Sequence, residues 1–547
     1  MREFQEIDLS RGVVTMAGEG SSRLLQNTER STGSAVLQDN IEAVIELAKS
    51  VQSTLGPHGL DKMLVDDQGR ILVTNDGVTI INTGKVEHPA AKMVISSSII
   101  QDEVARDGTT STILLASELL INAWELVIQG IHPSQIAAGY RLASDACASA
   151  LGEIAREMSG DSELLAATLT SLAGKGQAAM QSRLAELAVQ AAKSIAVEDD
   201  EGVRADPTLV KIIANRGGVS TDSSLVNGLV LAKSCIHPEM IDWPDGGKIL
   251  LIDGGLERRS PSIDATIKVT SAGMLDAFRA KDREILRQQV DAVISLSPQV
   301  VAVRDGVDDE ARQWLADAGI TTYRRVEKQD LELLARATGA KMIHRPENVP
   351  EESLGEFSTS MESLWGETTH WTLEGSVDNG VTLIVCGTTE EMIAEAERCF
   401  DDAIGVACQL LEEPLLLPGG GATYIALARR LRRFAEGIPG REQLAVEGFA
   451  DALEVIPRTL AENSGMDPID TVLQLVSEQT TKGDWIGLDA NLKSPRDVDE
   501  SEIREPLRIT RQVINGSTDS AISLLRIDDK LWSMSDPQMP ELPPDED

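Results

Sequence analysis

Basic and aromatic residues are scarce in this chain of 547 residues. Lysine and arginine total 50 against 88 aspartates and glutamates, a net charge of −38. Such a field repels nucleic acid and anionic lipid, which argues against both as partners. Arginine outnumbers lysine, and the acidic residues spread along the chain. That pattern is similar to proteins adapted to high salt, where ions screen self-repulsion, although a plain acidic cytosolic protein reads the same way. Aromatics make up 3%, so the cores must be built from Ala, Val, Leu and Ile. The five cysteines (Cys147, Cys235, Cys386, Cys399, Cys408) are odd in number and form no CxxC pair, which argues against a disulfide framework. The few histidines are scattered and give zinc little support. There is no run of 18 apolar residues and no apolar signal region at Met1–Glu6. The expectation is a soluble, cytoplasmic chain. The phosphate-loop pattern GxxxxGK[ST] is also missing.

What stands out is Asp107-Gly108-Thr109-Thr110-Ser111-Thr112, lying between two stretches of helical periodicity, Pro89–Arg106 and Ile113–Ile128. A helix start carries unpaired N–H groups and the positive dipole end, which suits phosphate. An adjacent Asp can hold Mg²⁺ through oxygen. The competing reading is an ordinary N-cap. Other segments carry similar double readings. Thr54–Gly59 is a ligand loop around Gly56 or a helix C-cap followed by proline. Leu417–Ala422, with Gly420 and Gly421, is a close-approach loop or a hinge. Asp401-Asp402 is a solvated helix face or holds a base for water. Lys175, between two glycines, reaches a γ-phosphate or sits in an exposed turn.

The chain has a nested texture. Helical patterns run from about Asn40 to Ala150, interrupted by a hairpin-like stretch from Met63 to Thr74 and a turn at Asn75–Gly77. Helices continue over Ser159–Asp199 with a break at Gly174–Gly176. From Arg216 to about residue 370, short apolar strands (Lys248–Asp253, Val300–Val303, Lys341–Ile343) alternate with helices (Asp282–Ile294, Asp308–Ala318). Val381–Val385 is a further strand, and helices return from Glu390 to Ala407 and from Ala422 onward. This reads as an α/β piece inserted in a helical chain, ending in a Pro- and acid-rich segment, Ser535–Asp547, expected to be disordered.

Nine motifs in order carry a resemblance. They are Thr54–Met63 (TLGPHGLDKM), Val73–Ile81 (VTNDGVTII), Glu87–Met93 (EHPAAKM), Asp107–Thr110 (DGTT), Gly174–Gly176 (GKG), Gly419–Ala422 (GGGA), Ala450–Asn463 (ADALEVIPRTLAEN), Glu505–Arg508 (EPLR) and Leu525–Asp529 (LRIDD). On these the chain resembles a group II chaperonin subunit, the archaeal thermosome type related to the eukaryotic cytosolic chaperonin. The resemblance implies an α+β multidomain chaperonin fold. Residues 1–149 with 404–547 would form a helical equatorial domain for ATP and ring contacts. Residues 150–215 with 371–403 would form a small intermediate domain. Residues 216–370 would form an α/β apical domain for unfolded polypeptide, with a helical lid protrusion within Leu256–Ile294. The implied assembly is a double ring of about eight or nine chaperonin subunits per ring, enclosing unfolded clients.

The resemblance also implies ATP and Mg²⁺ as cofactors and assigns the residues. Asp107 would hold the metal, and Gly108, Thr109, Thr110 and Ser111 would donate to phosphates. Gly56, Gly420 and Gly421 would approach the nucleotide, and Glu505 its ribose. Lys175 would sense the γ-phosphate, Asp76 would order the attacking water, and Asp402 would activate it. Four positions depart from the family pattern. Arg106 replaces a glycine, Asp401 a histidine, Tyr424 a glutamate and Thr510 a lysine. If position 106 needs φ > 0, an arginine there costs about 1–2 kcal/mol; it would pair with an Asp or a phosphate. If Asp401 and Asp402 both face inward, one pKa of the pair rises. Two activities follow: an ATP-driven folding machine, or a structural ring subunit that binds nucleotide with weak or no hydrolysis. A small-molecule kinase would need a second pocket, for which the sequence offers no candidate.

Overall fold

The computed structural model describes residues 28–533 apart from 66–68, 70, 85, 200–201, 244, 259–271, 347–348, 366–367 and 377–379. The expected disordered end at Ser535–Asp547 and the stretch 259–271 of the expected lid lie outside the described residues; the rest of the lid interval is mostly the helix Ala272–Ser295.

The helical body is built round Thr109–Ile128. Ile113, Leu115, Leu119, Leu120 and Ala123 on this helix are fully buried, more than one amphipathic face requires. It packs against Ser34–Gln52, Pro89–Ala105, Glu442–Leu453 and Leu507–Leu525. By length and composition it could cross a membrane, although Glu118 and Glu125 interrupt its apolar run; here it is mostly buried inside the protein. The scarcity of aromatics holds in the core, where Tyr140 meets Phe449 edge-on at 5.5 Å amid aliphatic side chains and alanine.

The inserted piece hangs on two paired strands. Val210–Arg216, on the way out, runs parallel to Val381–Gly387, on the way back, in unbroken register from Val210↔Val381 to Arg216↔Gly387. Ser224–Asn227 flanks the returning strand, and the helices Ala178–Ile195 and Glu390–Glu412 pack together beside it. Beyond this stem stands a mixed sheet in the order Thr321–Tyr323, Val300–Val303, Gly247–Ile252, Gly355–Trp365, Thr368–Gly375, Leu229–Leu231, with Met342–Ile343 also pairing with Gly247–Ile252. Its period-two alternation separates two cores. Leu250, Ile252, Val301 and Val303 face Leu286 and Val290, while Ile249, Leu251, Val300 and Ala302 face Leu331 and Trp371.

Three local readings change. Asn75–Gly77 is a helix start rather than a free turn, because Asp76 caps Gly77–Thr83. The helical reading after Ala422 is interrupted by the hairpin Ile486–Asp489 with Ser494–Asp497. The long pair Gly355–Trp365 and Thr368–Gly375 went unread because its Ser-, Thr- and Glu-rich sequence lacks clean alternation. The hairpin-like stretch is a true antiparallel pair, Lys62–Val65 with Ile71–Thr74, carrying Met63, Val65 and Ile71 in the open.

Candidate functional site

Two helix starts meet. The first follows a sharp turn: Pro89–Ala105 ends at Arg106 with φ 54, and Gly108 with φ 84 opens Thr109–Ile128. Both residues are left-handed, so Arg106 carries about 1–2 kcal/mol of backbone strain that glycine would not. A Cβ on Gly108 would lie 2.8 Å from Val513 Cγ2. Gln101 Nε2 steadies the turn by donating to the Asp107 carbonyl at 2.7 Å. No side chain among the described residues caps this helix, so the N-cap reading of Asp107 and the threonines fails and its first N–H groups stay open to an anion. The second start, Gly77–Thr83, is capped by Asp76, which accepts from Thr79 N at 2.9 Å and Val78 N at 3.3 Å. A Cβ on Gly77 would sit 2.7 Å from Thr110 Oγ1, so the two starts touch and their positive ends add.

Lys175 ties the acidic groups together. Its Nζ lies 2.7 Å from Asp402 Oδ2 and 3.6 Å from Asp107 Oδ1. Burial pushes the Asp402 carboxyl up to about 7; Lys175 opposes this while Asp107 and Asp76 add to it. Burial alone would lower the Lys175 ammonium, but Asp402 and Asp107 outweigh it and hold it above its ordinary value. Two carboxylates thus share one cation, and burial with the added charge of Asp107 and Asp76 raises the less solvated of the two, Asp402. Asp401 does not join them. It is exposed on the helix Glu390–Glu412, so the inward carboxylate pair that would act on Asp402 is not formed.

The remaining wall comes from distant loops. A Cβ on Gly174 would meet the Gly56 carbonyl at 2.4 Å, and Asn75 Nδ2 donates to the Gly174 carbonyl at 2.6 Å. Gly420, at φ 60, lies where a Cβ would come 2.4 Å from the Leu488 carbonyl. Glu505 pairs across strands with Leu417; burial raises its carboxyl to about 7, with Asp107 adding to it. One cavity is lined by Gly56, Asp76, Asp107 to Ser111, Lys175, Gly420 and Glu505. Gly421 and Asp402 do not line it. Gly421 turns instead onto Pro457 as the N-cap of Ala422–Ala435, and Asp402 stands behind Lys175. Sequence reasoning missed Asn75, Asp489 and Asn491 in the lining. Asn75 sits beside the quoted Asp76 and was within reach; the other two lie within a hairpin that was not read. Tyr424, one of the four departures, is buried in the wall, its hydroxyl pushed up by burial and then by Glu505.

The lining fits a magnesium nucleotide. The buried Asn75 Oδ1 has no hydrogen-bond partner among the described residues, the helix start is uncapped, and glycines clear the floor. No cluster of three His, Cys, Asp or Glu side chains able to hold a metal by itself occurs among the described residues. Asp107, which lines the cavity beside the open helix start, would give Mg²⁺ one carboxylate, with phosphate oxygens and water supplying the rest.

The chain matches the TCP-1/cpn60 chaperonin family over residues 47–532. The thermosome subunit of Pyrococcus horikoshii is 40% identical over 517 residues, 94% of each chain. That of Methanopyrus kandleri is 41% identical over 519 residues, 94% of this chain and 95% of the other. A solved open-state monomer of a group II chaperonin from Methanococcoides burtonii superposes with TM-score 0.62 at 33% identity, covering 77% of this chain and 100% of that one. A match of that extent, on a fold of the same kind, means that the chain belongs to the TCP-1/cpn60 chaperonin family as a group II chaperonin subunit of the thermosome type.

Proposed function

We propose that this chaperone subunit binds Mg-ATP in the cavity, hydrolyses it, and uses the cycle to close a double-ring chamber over unfolded polypeptide in the cytoplasm. The observation that carries the reading is the shared lysine: Asp107 and Asp402, far apart in sequence, meet Lys175 at one cavity wall. The residues divide the work. The open N–H groups at Thr109, Thr110 and Ser111 take the phosphates, and the joined dipole ends favour their charge. Asp107 would hold Mg²⁺, which when bound would neutralise charge on the terminal phosphates. Gly56 and Gly420 let backbone approach the nucleotide, and Glu505 faces its ribose. Asp76, with Oδ1 only weakly engaged, orders water at the second helix start. A γ-phosphate competes with Asp402 for Lys175, so binding frees Asp402 to take a proton from the attacking water.

The helical body is then the equatorial domain, the stem the intermediate domain, and the outer sheet the apical domain that holds clients. Because Lys175 and Asp402 stand on the stem side while Asp107 stands on the body, tightening round the phosphate moves one against the other. The exposed apolar flank of the hairpin Lys62–Val65 with Ile71–Thr74 suits a ring contact.

Homomeric particles given Mg-ATP should release phosphate and shield a denatured client from protease; neither effect without nucleotide is expected. The second reading, a ring subunit with weak turnover, is favoured by Asp402 standing outside the lining. It predicts binding without release, and rapid turnover by homomeric rings excludes it.

The pH profile is a further check. A base must be ionised to act, and burial raises Asp402 to about 7 in the free subunit, so kcat/KM for ATP, which reports the free subunit, should climb through about pH 7 and then level. Glu505 titrates in the same range, so the climb must persist in Glu505→Gln. A climb that vanishes in that variant belongs to Glu505 instead, and a flat profile removes Asp402 from the chemistry.

A further inference from the structure

The bearing of Asp402 depends on how the helix Glu390–Glu412 is rotated about its axis. Asp401, Gly405 and Gln409 recur every four residues, so they share one face of that helix. Gly405 and Gln409 meet the end of the helix Pro89–Ala105, and Asp401 feels its charges. Gln409 Nε2 donates to the Val104 carbonyl at 3.4 Å. A Cβ on Gly405 would lie 2.3 Å from Arg106 Cγ and 2.5 Å from Arg106 Cβ, so the arginine side chain rests directly on glycine backbone. Asp401 feels the Arg106 charge, as does Asp102 in the last turn of the shorter helix. Both central residues are locally unfavourable. Arg106 is left-handed, and Gly405 is a glycine inside a helix. Each is accommodated by the other: the absent Cβ at 405 makes the groove that the arginine fills.

We infer that Arg106 is a positioning residue: seated on Gly405, with Asp401 in its field, it sets the rotation of the Asp402 helix against the Asp107 turn. Asp402 follows Asp401 by one residue, about 100° round the helix, which directs it to Lys175. Arg106 directly precedes Asp107, so one short turn carries the metal carboxylate and the support for the base. The inference rests on the reading of Asp402 given above.

In assembled particles, Arg106→Gly relieves backbone strain, so it should unfold no earlier than the parent. It should nonetheless hydrolyse ATP about tenfold more slowly, with ADP affinity unchanged within about twofold, since the base is misplaced and the nucleotide wall is not. Gly405→Ala should be slowed similarly, because its Cβ has no room beside Arg106. The double variant should be faster than either single one, the new methyl filling the groove that the arginine left. Amide exchange over residues 399–409 should follow the same order without depending on turnover: faster in each single variant, restored in the double. Parent-like turnover and exchange in Arg106→Gly would overturn the inference, as would a double variant whose loss is the product of the two singles. A parent that does not hydrolyse ATP would sink the Asp402 reading instead, and exchange alone would then decide the role of Arg106.

Discussion

Asp402→Ala should slow ATP hydrolysis by assembled particles at least about 100-fold, the usual range for losing a positioned base. Nucleotide binding should survive, because Asp402 does not line the cavity. It should even tighten modestly, since Lys175 loses its 2.7 Å partner and turns wholly to the phosphates. The pairing of slow turnover with intact or improved binding separates a lost base from a collapsed site. Single-turnover hydrolysis and ADP titration read the two halves. Equal rates in variant and parent would remove Asp402 from the chemistry.

Lys175→Met should have the second largest effect, and on a different axis. It leaves Asp107 and Asp402 without the cation they share. Stripping one partner from a buried ion pair costs about 3–5 kcal/mol; with the Lys175 and Asp402 side chains each 19% exposed, about 2 kcal/mol is the fitting scale here. The deficit has a pH signature. Asp402 already sits above the unfolded carboxylate range, and losing Lys175 raises it further. The folded variant therefore binds a proton that the unfolded chain does not, and gains stability as pH falls from above 7 toward the unfolded carboxylate range. Denaturant titrations of parent and variant should differ more at pH 8 than at pH 6. A deficit independent of pH would mean that Lys175 acts through packing and not through charge.

Much of the arrangement was legible in the residues, for identifiable reasons. Helices with strong apolar periodicity, such as Glu390–Glu412 and Asp309–Asp317, announce themselves because burial imposes spacing on sequence. The insertion was visible as a change from helical to strand texture. That the chain leaves and returns on adjacent parallel strands was not, since Val210–Arg216 and Val381–Gly387 pair across some 170 residues and pairing leaves no local mark. In the candidate site, the motif residues carried the lining because loops facing a ligand keep glycine, hydroxyl and carboxylate in short runs. Asp489 and Asn491 escaped because their hairpin has no such run. Whether Asp107 caps its helix or leaves it open could not be read from its neighbours. That depends on Gly108 taking the cap position at φ 84, and on packing by Val513 from the far end of the chain. The strain at Arg106 was foreseeable from the turn; its resting place on Gly405 was not, because the two residues meet only in the folded subunit.

The most direct test is a structure of the assembled particle with Mg²⁺ and a non-hydrolysable ATP analogue. Metal should bridge Asp107 and the phosphates at the start of Thr109–Ile128, with Lys175 on the γ-phosphate and Asp402 released toward the attacking side. Nucleotide bound elsewhere, or Asp402 still clasped to Lys175 and turned from the phosphate, would contradict the account.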